Sequence, residues 1–231
     1  MHCGQRLDSL PASDLPHFHM TLPPAFARRL SQLLLGLFLY GIGISLMVRA
    51  SVGIAPWDVL TQGLSEQTGL SFGLLTNLIG LAVLLLWIPI RQKPGLGTVL
   101  NVLLIGPSAQ FGLWLFPQFE GLWQQVPAFI AGLAVLALAT GMYIGANFGP
   151  GPRDGLMTGL HQRTGWPIGI VRTGIEASVL LAGWAMGGDA GWGTLAFALA
   201  IGPMCAITMR WFAATPRMLA GDAAAGPRPH G

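Results

Sequence analysis

Six long apolar stretches dominate the chain and restrict what it can fold into. They cover residues 30–48, 70–90, 96–115, 127–144, 167–186 and 192–212. A helix needs about 20 such residues to cross the hydrocarbon core of a bilayer. Only 9% of the 231 residues are charged, whereas a soluble domain carries about 25%. The sequence therefore predicts an all-α polytopic membrane protein with about six transmembrane helices, and the lipid bilayer as its first partner.

The basic residues favour one orientation of these spans, because cytoplasmic loops of membrane proteins are enriched in lysine and arginine. If the N-terminus is cytoplasmic, the outer side holds mainly acidic residues. The residues then predicted to be inside are Arg28, Arg29, Arg91, Lys93, Arg153, Arg163, Arg210 and Arg217. We expect both termini to be cytoplasmic, with residues 1–29 and 213–231 forming disordered tails.

An internal repeat divides the membrane region into two halves. Asp58 and Asp154 are 154 − 58 = 96 residues apart, and the same offset pairs Gly53 with Gly149. It also pairs Ile105–Gly106–Pro107 with Ile201–Gly202–Pro203. Matching glycines, prolines and aspartates without gaps indicates a duplication, with repeat 1 at 30–118 and repeat 2 at 127–212. Since each half holds three spans, the halves are predicted to form a 3+3 inverted-topology repeat, a construction common among transporters.

Each half contains a short polar segment between its first and second spans, and each segment carries a Pro–x–Asp motif. Pro56 with Asp58, and Pro152 with Asp154, are good helix starts. Proline suits the first helical position, and a carboxylate offsets the positive end of the helix dipole. We therefore predict short helices at 56–68 and 152–164.

Two placements of these short helices stay open. In the first, glycine-rich backbone enters the bilayer and the helix returns as a re-entrant loop, which needs protein or water around it. The two helix N-termini then meet at mid-membrane and form a site for a cation, a proton or a zwitterion. In the second, the helices lie at the interface and the two aspartates only start helices. The interfacial model of the first helix places Trp57, Leu60 and Leu64 toward lipid, with Asp58, Gln62 and Glu66 in water.

Four further polar residues within spans are candidates for binding or gating. Arg172 and Glu176 lie one helical turn apart and can pair. They can serve as a gate or coupling site, or simply pack helices, since charges at membrane depth usually face the bundle interior or a cavity. Asn77 and Thr173 are equivalent across the repeat. They can line a path or hydrogen-bond neighbouring helices.

The sequence holds few signs of enzymatic or metal chemistry. Cys3 and Cys205 lie at opposite ends of the chain, and neither a His-Glu-x-x-His pattern nor a phosphate-binding glycine loop followed by lysine occurs. We expect no enzymatic activity, no cofactor, no metal site and no nucleic-acid partner.

Several motifs resemble those of a known family. The runs VRASVGIAPWDVL, TGLSFG and GLGTVLN in the first half, and GPRDGLMTGL, RTGW and IGIVRTGIE in the second, are similar to the bacterial integral membrane proteins grouped as YczE/YyaS/YitT-like. The resemblance covers residues 30–212. It implies a multi-span protein of the bacterial inner membrane, but it supplies no substrate and no functional residues.

Three functions agree with this architecture. The first is a secondary transporter or facilitator of a small solute, with a cavity lined by both Pro–x–Asp segments. The second is a channel, which needs a continuous pore. The third is a non-transporting scaffold or assembly partner of a biosynthetic or secretion system, which predicts a dry, packed interior. A homodimer or an unidentified protein partner is compatible with each.

Overall fold

A computed structural model describes residues 24–212, and nine helices account for most of them. In chain order they are α1 (Pro24–Ala50), α2 (Pro56–Thr68), α3 (Phe72–Leu85), α4 (Trp87–Ile90), α5 (Leu96–Leu115), α6 (Leu122–Gly145), α7 (Pro152–Thr164), α8 (Ile168–Ala185) and α9 (Trp192–Phe212). Six helices are long and apolar enough to cross a membrane: α1, α3 with α4, α5, α6, α8 and α9. The prediction of an all-α protein with six spans is confirmed.

Two helix boundaries differ from the predicted ones. Residues 24–29, assigned above to a disordered tail, form the start of α1, where Pro24 takes the first position. Arg29 is buried there, and its side chain donates to the backbone oxygens of Ala146 and Asn147. The helix of the fourth span starts at Leu122 rather than at residue 127, and Pro127 lies inside it. The rest of the predicted tails, 1–23 and 213–231, lies outside the described residues.

The core of the bundle is the crossing of α1 and α6. The backbone of Gly36 lies against Ala139, and that of Gly43 lies against Gly132. The repeat relates these two contacts to each other. Gly36 of the first contact is equivalent to Gly132 of the second (132 − 36 = 96), and Gly43 of the second is equivalent to Ala139 of the first (139 − 43 = 96). Small residues let helix backbones approach closely in lipid, where van der Waals packing replaces the hydrophobic effect as the driving force.

The other helices surround this crossing. Helix α5 packs on α1, and α9 packs on α6. The short helices contact the opposite half of the chain: α2 packs on α8, and α7 contacts α3 and α4. The first and second halves therefore interlock.

The loops before α2 and α7 follow the same backbone path. Gly53 and Gly149 have φ of +114° and +111°, a conformation that side-chain-bearing residues rarely adopt. Each loop is bonded to the start of the last span of the other half: Gly193 N–H donates to Val52 O at 2.7 Å, and Gly97 N–H donates to Phe148 O at 2.8 Å. The local backbone thus recurs at an offset of 96 residues.

Replacing Gly43 by leucine is expected to weaken the α1–α6 crossing. A Cβ at this position would lie 2.9 Å from Gly132 O and from Leu136 N, both of which are backbone atoms that move little. Overpacking costs about 1–3 kcal/mol or more, so thermal unfolding in detergent should start at a lower temperature. Gly174→Leu is the control, because a Cβ at Gly174 on α8 meets nothing within 4 Å. Equal melting temperatures for the two variants would contradict this packing.

Candidate functional site

The N-terminal ends of α2 and α7 meet inside the bundle. Asp58 of α2 is 1% exposed, and its Oδ1 lies 3.4 Å from Nη2 of Arg153 on α7. The same guanidinium lies over the ring of Trp57, 5.2 Å from its centroid. Trp57 and Arg153 are the middle residues of the two Pro–x–Asp motifs, so the motifs contact each other directly. The interfacial model's placement of Trp57 toward lipid and of Asp58 in water is wrong, since both residues are buried in protein.

This ion pair provides the counter-charge for the buried carboxylate of Asp58. A buried carboxylate is expensive unless a cation or several hydrogen bonds compensate it. Arg153 is the single cation that bonds Asp58 within residues 24–212. Removal of one partner of a buried pair costs about 3–5 kcal/mol, because the other charge stays behind.

Asp154 has a different environment from its repeat equivalent. Its side chain is exposed to a cavity, and Oδ2 accepts a hydrogen bond of 2.8 Å from the hydroxyl of Tyr143. The ring of Tyr143 contacts Tyr40 edge-on, with 5.9 Å between centroids. Across the described part of the chain, no arginine or lysine pairs with Asp154.

A cavity of about 290 Å³ lies where α1, α2, α6, α7, α8 and α9 converge. Its polar wall contains four charged side chains: Arg153, Asp154, Arg172 and Glu176. Its aromatic wall contains Tyr40, Trp57, Tyr143 and Phe197. A second cavity of about 60 Å³ shares Tyr40, Tyr143, Arg153 and Asp154, and reaches between α3 and α5.

Most of the predicted site residues gather around these cavities. Pro56, Asp154, Arg172 and Glu176 line the larger cavity, and Pro152 lines the smaller one. Asp58 lies just behind the wall and is joined to it through Arg153. Arg172 Nε donates to Glu176 Oε1 at 2.9 Å, so the two charges on α8 form a pair that faces the cavity.

Asn77 lies apart from both cavities and binds two helices together. Pro107 in α5 has no N–H, so it leaves the oxygen of Leu103 without its usual helical donor. Asn77 on α3 compensates: Nδ2 donates to Leu103 O at 3.4 Å, and Oδ1 accepts from Gly106 N–H at 3.0 Å. Its equivalent, Thr173, is exposed and lines neither cavity.

The two halves differ in how their second and third spans pack. In the first half α3 and α5 are in close contact, and a side chain at Gly73 would overlap the backbone of Gly106. In the second half α8 and α9 stand apart. A Cβ at Gly169 or Gly202, the equivalent positions, meets nothing within 4 Å. Gly202 lines the larger cavity, which therefore lies between the separated helices.

The sequence argument missed three contributors to the site. Arg153 is the middle residue of the second Pro–x–Asp motif, and its charge beside a predicted site residue was a signal that could have identified it. The chain has two tyrosines, and both Tyr40 and Tyr143 line the cavity. Tyrosine is rare in this chain, and its occurrence within a span could therefore have been used to predict residues of the site.

Replacement of Arg153 by methionine should destabilise the protein by about 3–5 kcal/mol, because Asp58 loses its counter-ion. Adding Asp58→Asn should recover part of that loss. Arg163→Met on the exposed end of α7 removes the same charge and should leave stability nearly unchanged. Thermal unfolding of the purified variants measures these differences. Equal stability of Arg153→Met and Arg163→Met would refute the role assigned to the ion pair.

Replacement of Asn77 by leucine should cost about 1–3 kcal/mol, since it leaves the oxygen of Leu103 without a hydrogen-bond donor in a lipid environment. Thr173→Leu, the same change at the equivalent exposed position, should have almost no effect. The comparison uses melting temperatures of both variants in the same detergent. A larger loss for Thr173→Leu would count against this role for Asn77.

The sequence of this chain is similar to those of several bacterial proteins. The model of a family described as a family of unknown function, DUF6198, matches residues 27–210. An uncharacterized protein of Haemophilus influenzae is 35% identical over 191 residues, 83% of this chain and 88% of that protein. The uncharacterized membrane protein YczE of Bacillus subtilis is 34% identical over 169 residues, 72% of this chain and 79% of that protein.

A second Bacillus subtilis protein, uncharacterized YyaS, is 29% identical over 167 residues, 70% of this chain and 82% of that protein. No solved structure matches the chain significantly. The resemblance to the YczE/YyaS-like proteins that the motifs indicated is thus confirmed by sequence similarity along most of the chain.

Proposed function

The chain belongs to the DUF6198 family, whose function is unknown, and we propose that it is a secondary transporter or facilitator of a small solute in the bacterial inner membrane. The observation that carries this proposal is the cavity of about 290 Å³ at the junction of α2 and α7, with four charged residues in its wall. Charged residues at membrane depth are expensive and mark solute or ion pathways.

The proposed topology is a 3+3 inverted repeat with both termini in the cytoplasm. In this topology α2 enters from the outer face and α7 from the cytoplasmic face, and their N-terminal ends meet near the midplane. The burial of Asp58 and its contact with Arg153 support such a meeting. Transporters built from inverted repeats place substrates at broken or half helices of this kind.

The difference between the halves suggests how the solute moves. In the proposed topology the tight α3–α5 contact closes the outer side of the cavity, and the gap between α8 and α9 opens it toward the cytoplasm. Because the halves share a repeated sequence pattern, we propose that they exchange arrangements: α8 closes on α9 while α3 leaves α5. The structure then represents the inward-open member of two alternating states.

This function fits the cavity better than the alternatives do. A scaffold requires no charged cavity, and a channel requires a pore that is continuous past Gly73 and Gly106, where the backbones are in contact. The proposal assigns no catalytic chemistry to the chain and requires no partner subunit.

The alternation can be tested by forcing the outer side open. Gly106→Val should separate α3 from α5, because a side chain there overlaps Gly73 and Asn77. Spin labels at the exposed positions 74 and 103 should move apart, while labels at the equivalent positions 170 and 199 should approach each other. Distances would be measured by pulsed electron paramagnetic resonance in proteoliposomes, with Cys3 and Cys205 replaced by serine.

Gly202→Val is the matched control, since a side chain at Gly202 meets nothing within 4 Å. It should leave the distance between labels at 74 and 103 unchanged. If Gly106→Val lengthens that distance but leaves the distance between 170 and 199 as it was, the halves are not coupled and the alternating mechanism fails.

A further inference from the structure

The charges around the larger cavity do not balance. Three carboxylates, those of Asp58, Asp154 and Glu176, face two guanidiniums, those of Arg153 and Arg172. Each arginine already bonds one carboxylate: Arg153 bonds Asp58, and Arg172 bonds Glu176. Asp154 is left with a tyrosine hydroxyl as its partner within residues 24–212. Counted together with Asp58, which lies behind the wall, the formal charges of these five groups sum to −1, and Asp154 is the carboxylate without a cationic partner.

From this imbalance we propose that the solute is a small organic cation whose charged group binds Asp154. The inference rests on the proposed transport function and names the substrate class of the same site. A cation would supply the counter-charge that Asp154 lacks, and carboxylates within membrane bundles mark ion or solute pathways. An anion would find only arginines whose charges a carboxylate already offsets.

The aromatic wall suits an organic cation. Tyr40, Trp57, Tyr143 and Phe197 line the cavity, and aromatic rings attract alkylammonium groups. Tyr143 fixes Oδ2 of Asp154 by a hydrogen bond of 2.8 Å, which leaves Oδ1 available for a ligand. The volume of the cavity limits the size of the solute: about 290 Å³ is at the lower end of the range for small-molecule sites.

A metal ion fits this wall less well than an alkylammonium group does. Calcium takes six to eight oxygen ligands, and magnesium requires octahedral geometry. Asp154 and the Tyr143 hydroxyl supply too few oxygens. The described residues also hold no group of three or more histidines, cysteines, aspartates or glutamates placed to bind a metal.

The test compares three probes with the same four-carbon skeleton and different charges: butylammonium, 1-butanol and butanoate. Each is titrated at millimolar concentration into the purified full-length protein in detergent, and the melting temperature is followed. Butylammonium should raise it in a saturable manner, and the other two should not. Choline and its uncharged analogue 3,3-dimethylbutan-1-ol provide a second matched pair with a bulkier head group.

Asp154→Asn should weaken the apparent affinity for the cationic probes about 10- to 100-fold, because it removes the charge and keeps the shape. Glu120→Gln, the same chemical change at an exposed loop position, should leave it unchanged. Melting temperatures without probe check that both variants fold. Should Asp154→Asn unfold, Phe197→Leu takes its place, since loss of this aromatic ring from the wall should also weaken binding of choline.

Two results would overturn the proposal: stabilisation by butanoate or by the uncharged probes instead of the cations, or no stabilisation by either cation. These outcomes are separate from the spin-label experiment on the halves. Coupled movement of α3 and α8 without cation binding would leave transport standing with another substrate class. Cation binding without coupled movement would leave a binding site without alternating access.

Discussion

The ion pair between Asp58 and Arg153 is the interaction on which the rest of the structure depends. It joins two short helices that come from different halves of the chain, and it does so where water is scarce. Without it, the carboxylate of Asp58 at the N-terminal end of α2 would be buried with no compensating cation. With it, the two Pro–x–Asp segments are held together, and the remaining aspartate, Asp154, is free to face the cavity.

Much of the fold could be predicted because it depends on local signals. Apolar length predicted the six spans, and Pro56 and Pro152 predicted the starts of α2 and α7. The pairing of Asp58 with Arg153 could not be predicted, because it depends on how two halves approach in space. Asn77 and Thr173 illustrate the same limit. They are equivalent in sequence, yet one binds the backbone beside Pro107 and the other is exposed, because α3 packs on α5 and α8 leaves α9.

That difference between equivalent helices is the physical basis of the proposed function. A duplicated chain that packed identically in both halves would enclose its cavity symmetrically. Here the contact between Gly73 and Gly106 is made, whereas the corresponding one between Gly169 and Gly202 is absent. Two arrangements of the same sequence pattern therefore coexist in one molecule, which is what a protein that alternates between two states requires.

The most direct test of this account uses Cys205, which lines the cavity on α9. In a Cys3→Ser protein, a small charged methanethiosulfonate reagent that does not cross membranes would be applied to sealed inside-out vesicles and to right-side-out vesicles. The account predicts that Cys205 reacts from the cytoplasmic face, because the gap between α8 and α9 opens there, and that it does not react from the outer face. Reaction from the outer face, or no reaction from either, would contradict a charged cavity open to the cytoplasm.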